Sequence, residues 1–380
     1  MPDHPPTLTR RSLGRLALGA TAAAVPLAAP FVRPAPAAAA TLRWLSDTSQ
    51  NRYYTYPHKN GFWDGGRRLV LGQRDATGTV TLVDRELAGS GERHVGTLPL
   101  VRGATQLWYD VAEPTGTLTV AAGDQVWMCD LTASSPSLVS IYRPPTGYRL
   151  NNMACIHPQG MGAYTSYLSA TATDVYATTH SMVNIRFSTR EVTPRVTQPW
   201  YVNHYHVAPG DPTLIAYAKQ LASEPPDRIW AYRGSRTPPT WNVWDQRGLD
   251  GQPVLVTHER WTFHDSSFLV VAFGGASTTR GLLQVTSAGV ARLVRGSSTY
   301  WHCNISRDGR RAVVDTTPSG GTSSLVVIDM ATGAATTVLT GIGTASHPGH
   351  PHPHVTPDGT GVVFTAAESG GATRVGLLTL

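Results

Sequence analysis

From about residue 66 onward the chain is a succession of short β-rich runs, among them RRLVLGQ, GTVTLVD, GTLTVAA, QVWMCDL, SSLVVIDM and GVVFTAA, separated by glycine turns or Asp-Gly pairs. Short runs bounded by turn residues specify strands, and many of them. No segment longer than about ten residues sustains a 3.6-residue apolar period, which excludes long helices. The runs recur in units of roughly 40 to 55 residues, the span of one four-stranded propeller blade with its loops. In the second half, HVAPGDPTLIAYA, TFHDSSFLVVAF, NISRDGRRAVVDT and HVTPDGTGVVFTA each read as strand, aspartate-centred turn, strand, with Asp211, Asp265, Asp308 and Asp358 at the turns. NGFWDGGRRLVLG, TGTLTVAAGDQVW and CIHPQGMGAYTS supply three earlier units near residues 61, 115 and 155. The expected fold is all-β, a single seven-bladed β-propeller over residues 41–380, with six and eight blades as the neighbouring counts. A pair of β-sandwiches would also give many short strands, but it does not account for the repeated aspartate turn.

Residues 1–40 stand outside this pattern: a basic start, an apolar run and then APAAAA make a targeting segment. Arg10 and Arg11, after Thr9 and before Ser12 and Leu13, fit a twin-arginine export signal with cleavage near Ala38 to Ala40. A transmembrane anchor is the alternative, but the stretch is short, alanine-rich and broken by Pro26 and Pro30. The mature protein is therefore expected to be exported, periplasmic or extracellular, without stable membrane association. Cleavage removes four arginines and one aspartate, which lowers the formal charge from +6 to +3. A weakly basic surface suits an anionic substrate, whereas the lack of a lysine-rich block or basic helix argues against nucleic acid. Cys129, Cys155 and Cys303 allow at most one disulfide, so the fold must rest on its core.

A propeller's innermost strands converge on the central axis. Residues just ahead of the aspartate turns of different blades can therefore meet despite large sequence separation. Nine of the fourteen histidines lie between His204 and His354, and His204, His206, His258, His302 and the run HPGHPHPH from His347 to His354 all precede such turns. Imidazole suits divalent first-row ions, and three or four protein ligands with open positions make a catalytic metal site. His350 and His352 are one residue apart, so an extended strand points both to one face. His347, behind a Pro-Gly turn, could fold back toward them, and His302 occupies the comparable place one blade earlier. Alone, the histidine-proline run would read as a solvated loop; the shared axis favours the metal.

His258, in VTHERWTF, can serve as a base at neutral pH, or it can be a histidine packed beside Trp261. Arg228, in PPDRIWAY, suits gripping a carboxylate or steadying an oxyanion, or it can form a surface salt bridge with Asp227 or Glu224. No GxSxG, HExxH or P-loop pattern is present, so serine hydrolase, zincin and nucleotide readings have no support. Residues 51–63, NRYYTYPHKNGFW, have two readings of equal weight. Tyr53, Tyr54, Tyr56, Phe62 and Trp63 could stack sugar rings, with Arg52 or Lys59 meeting a carboxylate, or the segment could close the propeller against its last blade.

The series HVAPGDPTLIAY, DRIW, THERW, WHCNISRDG and HPHPHVTPDG resembles, in order and approximate spacing over residues 200–365, the signature of the oligogalacturonate lyases, seven-bladed propeller polysaccharide lyases that use a manganese-type divalent ion. HPHP followed by a PDG turn is its most specific element. The resemblance implies His302, His350 and His352 as ligands to Mn2+, His347 in place of the family's glutamine ligand, His258 as catalytic base and Arg228 as the catalytic arginine. It implies β-elimination on an acidic oligosaccharide or polysaccharide, with no organic cofactor, as in pectin degradation. Two departures stand out: KQLASEPPD replaces the family's histidine-glutamate-glycine turn, and this chain carries an export signal whereas the relatives act inside the cell. A non-catalytic binding propeller resembling the TolB-type repeats is the alternative of another class, and a propeller lyase for another acidic polymer such as glucuronan is a third.

Overall fold

In a computed structural model of the chain, residues 40–221 and 227–380 are described. The expected export signal and the centre of KQLASEPPD, including Glu224, lie outside them. Among the described residues there are 29 strands, no α-helix and two single-turn 3-10 segments, Thr48–Gln50 and Asp64–Gly66. The strands make seven antiparallel sheets, and within six of them the chain moves from the innermost strand outward. This is the seven-bladed propeller expected from the repeats.

The innermost strands are Tyr109–Ala112 in blade 2, Tyr148–Ile156 in blade 3, Tyr201–Ala208 in blade 4, Val254–Trp261 in blade 5, Tyr300–Ile305 in blade 6 and His354–Val355 in blade 7. Blades 1 and 7 depart from the repeat. Thr41–Trp44 pairs antiparallel with Thr373–Thr379 as the outermost strand of blade 7, so the two ends of the ring are joined by backbone hydrogen bonds. In blade 1 the strand beside Arg68–Arg74 is interrupted: Arg52–Tyr53 and Phe62–Trp63 both pair with it, and the eight residues between leave the ladder.

The turns that made the repeat legible are side-chain capped. Asp308 accepts from the Arg310 N–H (3.1 Å) and the Ser306 hydroxyl (2.6 Å), and Asp358 does the same with Thr360 (3.1 Å) and Thr356 (2.6 Å). Gly309 and Gly359 follow with φ of +71° and +74°, a region open to glycine at no steric cost. Between blades the packing is apolar and aromatic, with Trp108, Tyr109, Tyr205, Tyr217, Trp261, Phe268 and Phe364 almost fully buried. All three cysteines are free and buried, so the core carries the fold without a disulfide.

Candidate metal centre

The innermost strands do not run straight past the axis. Their registers slip between Asn203 and His206, between Thr257 and Arg260, and between Tyr300 and Cys303. His204, His258 and His352 have φ of +48°, +56° and +43°, in the left-handed region that non-glycine residues seldom occupy. Bulges of this kind bend a strand and re-aim a side chain. Here they occur where His204, His258 and His302 gather at the axis, from three blades.

His302, His350 and His352 offer ligand nitrogens that all lie within 4.8 Å of one another. His302 and His352 are buried and His350 half-buried. The ring of His347 lies 3.9 Å from that of His350 and 5.0 Å from that of His352, although it does not belong to the trio. The nitrogens suit a cation. Nδ1 of His347, Nδ1 of His350 and both nitrogens of His352 are buried without a hydrogen-bond partner, and leaving such groups unpaired costs ~1–3 kcal/mol each. Burial, then the neighbouring imidazoles, push His347 and His350 down to about 3, and His352 well below its ordinary value. All are therefore neutral at physiological pH, the form that ligates.

Behind His302 stands Asp315, fully buried in the middle of the apolar strand Arg311–Thr316. Its Oδ2 is 2.8 Å from His302 Nδ1, and its Oδ1 accepts the His302 backbone N–H at 2.6 Å. A carboxylate behind a histidine directs the other nitrogen outward and raises its basicity, the usual support of a ligating imidazole. Burial raises Asp315 well above the usual carboxylate range, and the backbone donors offset this only in part. Positive charge on the far side of the imidazole would draw it back toward the carboxylate.

His258 lies against this group, its ring 4.1 Å from that of His302. Its Nδ1 is 2.7 Å from the carbonyl of Trp301. A carbonyl can only accept, so Nδ1 carries the proton and Nε2 keeps a lone pair. Burial, then His302, His204 and Arg228, hold its pKa well below 6.5. It is not packed on Trp261, which stacks on Phe268 instead.

Arg228 is buried, and the surface pairing with Asp227 is not what the structure shows: Asp227 bonds Lys219 at 2.8 Å, while Arg228 Nε donates to Glu259 Oε2 at 3.1 Å. Arg228 Nη2 and Glu259 Oε1 each lie 3.2 Å from His204 Nδ1. Burial alone would raise the Glu259 carboxyl, but Arg228 and His204 overcome it and hold it well below the usual range.

Three participants have places at the site that the sequence alone does not assign. Glu259 adjoins His258, and Asp315 breaks an apolar run; a charge in such a run needs a partner, which was the available signal. Tyr56 is the third. Its ring lies 4.8 Å from His352, 5.0 Å from His204, 6.0 Å from His347, 6.3 Å from His258 and 6.4 Å from His302. It arrives on the excursion from blade 1, and of the two readings of residues 51–63 the structure bears out the packing against the last blade: the Tyr54 N–H donates to Thr365 at 3.0 Å, the Thr373 N–H donates to Asn51 Oδ1 at 3.1 Å, and the buried aromatics present no sugar-stacking face. Tyr53 and Tyr54 are wholly buried, Arg52 forms a two-pronged pair with Glu92 (2.7 and 2.9 Å), and the Lys59 ammonium donates to the Tyr205 carbonyl at 2.9 Å. Thr41–Trp44 adds a strand pairing to that closure. His354, left without a role by the sequence, is structural: it bonds the Thr55 carbonyl and Asn304.

No protein-family model and no curated protein sequence matches the chain. Among solved structures, an oligogalacturonate lyase in complex with manganese superposes with a TM-score of 0.76 over 89% of this chain and 93% of its own, at 16% identity. An oligogalacturonate lyase from Vibrio parahaemolyticus gives 0.74 over the same shares, at 15% identity. A puromycin-hydrolyzing peptidase from Mycobacterium tuberculosis gives 0.54 over 88% of this chain but 53% of its own, at 15% identity. The resemblance drawn from the histidine motifs thus holds at the level of architecture: over nearly all of its described length, the chain is similar to the oligogalacturonate lyases in fold.

Proposed function

We propose that the protein is a metal-dependent polysaccharide lyase that cleaves oligogalacturonate or a related uronate-containing glycan by β-elimination. One observation carries the reading: three imidazoles from two blades converge to within 4.8 Å, one backed by a buried carboxylate, beside a fourth histidine whose proton is fixed on Nδ1. A structural or purely binding propeller has no need of such a set. Manganese is the ion proposed, with His347, His350, His352 and His302 as its holders, and the similar lyase fold determined with manganese supports the choice.

Held by His302, His347, His350 and His352, a divalent cation would supply Lewis acidity toward the uronate carboxylate and so acidify the adjacent C5–H. His258 Nε2 takes the C5 proton, held in the right tautomer by the Trp301 carbonyl. The C5–H electron pair becomes the C4=C5 double bond, the C4–O bond breaks, and the departing oxygen takes a proton from water. Arg228 adds positive potential beside the base, where charge develops on the substrate. Glu259 and His204 fix its guanidinium. His258, His347 and His350 are half-buried while His302 and His352 are buried, so substrate enters from the side where the inner strands begin. With residues 1–40 as a cleaved twin-arginine signal, the lyase acts outside the cytoplasm on an acidic oligosaccharide or polysaccharide.

The mature protein is to be incubated with manganese and a panel of polyuronides while the ultraviolet absorbance of the conjugated 4,5-unsaturated product is followed. Product on at least one uronate is the expected result. No product on any of them, together with no metal retained through purification, would overturn the proposal.

A further inference from the structure

Past their bulges the inner strands present a second tier of axial groups, His206, Arg260, Asn304 and His354: His206 and Arg260 line one cavity, and Asn304 meets His354. The blade 1 excursion serves both tiers, with Tyr56 among the first, Lys59 in the second and the His58 ring between them, 5.0 Å from that of His204 and 5.3 Å from that of His206.

One half of the second tier is self-satisfied. Asn304 donates to the Pro57 carbonyl at 3.0 Å and meets His354 at 3.3 Å, and His354 reaches Thr55. The other half is not. Both nitrogens of His58, Nε2 of His206 and Nε of Arg260 are buried with no partner among the described residues, and these residues are only 7%, 3% and 6% exposed. All three line a cavity of 380 Å³ at the end of the channel where the inner strands finish, with Lys59, Asp110 and Arg307. Two buried cations, Lys59 and Arg260, face one buried carboxylate, Asp110, which already accepts the N–H groups of Asn60 (2.8 Å) and Ile156 (3.0 Å). At the rim Arg307 is paired with Glu113. The floor thus carries one uncompensated positive charge and several unused donors, and a buried charge without a counterion is costly.

We propose that this far mouth of the channel is a binding site for a small monoanionic carboxylate, received by the Arg260 Nε–H and by N–H donors of His58 and His206. The charge requirement selects the anion, and donors converging from two blades and the excursion suit a two-oxygen acceptor. The volume admits a molecule up to the size of a single sugar acid. The site uses none of the proposed metal ligands and stands whether or not the lyase reading does.

Isothermal titration of the EDTA-treated full chain with sodium acetate, sodium galacturonate and, for comparison, sodium chloride tests it. Both carboxylates are expected to bind and chloride not to. Equal affinities would identify the carboxylate alone as the ligand, and galacturonate at least tenfold tighter would identify a sugar acid; either supports the site. His58→Phe removes its N–H donor yet keeps a planar ring, and should weaken binding at least tenfold. Arg260→Gln should abolish binding; because Arg260 also holds the Pro57 and Lys59 carbonyls, His58→Phe decides the matter if that variant misfolds. No carboxylate heat, chloride binding as tightly, or a folded His58→Phe protein with unchanged affinity would overturn the proposal.

Discussion

Asp315→Asn tests whether the carboxylate behind His302 supports a metal. In the ligating tautomer His302 turns two donors toward Asp315, its backbone N–H at 2.6 Å and Nδ1–H at 2.8 Å. A carboxylate offers an acceptor to each. Asparagine offers one oxygen and one NH2, so whichever way the amide is turned, one donor faces another. The imidazole can escape only by moving its proton to Nε2, which removes the lone pair a cation needs. An unmet donor pair costs ~1–3 kcal/mol, and losing the partner of a ligating histidine typically costs 10–100-fold in metal affinity. Manganese binding to the EDTA-treated variant, measured by calorimetry, should therefore be ~10–100-fold weaker than in the parent, on the scale of ~1.4 kcal/mol per tenfold. The melting temperature of the metal-free protein should change little, because burial already disfavours the charged form of Asp315. Unchanged manganese affinity in a folded Asp315→Asn protein would refute the reasoning.

Three further outcomes are expected. His258→Ala should lower turnover by ~10²–10⁴ while metal content stays at the parental level; loss of the metal along with activity would make His258 a ligand instead of the base. Glu259→Gln leaves Arg228 buried without its counter-charge, and breaking one half of a buried pair costs ~3–5 kcal/mol, visible as a lower urea midpoint; an unchanged midpoint would show that the pair carries no such load. His58, His206, His352 and His354 are depressed below 6.5 by burial, so the unfolded chain binds the protons that the folded one refuses. Their contribution to stability is present above about pH 6.5 and falls by up to ~1.4 kcal/mol per histidine per pH unit below it. Metal-free protein should accordingly lose stability steeply between pH 7 and 5 in urea titrations, whereas a flat profile would mean that these imidazoles take up protons without unfolding.

Much of the architecture was legible in the chain because it is local. Aspartate or glycine turns, apolar runs of strand length and a spacing near one blade recur from residue 61 to residue 358, and each is set by contacts within a hairpin. The alternation of an extended chain also predicts the pairing of His350 with His352, but His352 has φ of +43° and the strand starts only at His354, so a local bend and not a strand face brings the two together. Arg228 is the opposite case: its neighbour Asp227 suggested a surface pair, but the partner is Glu259, thirty-one residues on and one blade away. Residues 51–63 are another, since an aromatic, basic segment looks the same whether it meets a sugar or, as here, threads into the channel and bonds blades 4 to 7.

The sequence by itself determined the blades, their turns and which histidines lie at the inner ends of strands, because hydrogen-bond ladders and side-chain alternation are short-range. Only the tertiary structure decided which of those groups face one another. His302 and His352 meet because blade 7 packs beside blade 6 at the axis, and Thr41 to Trp44 completes blade 7 across more than three hundred residues of chain. The bulges that turn His204 and His258 inward, and the excursion that sets Tyr56 among five imidazoles, leave no periodic trace. Each is a departure from strand geometry held in place by packing and hydrogen bonds from other blades.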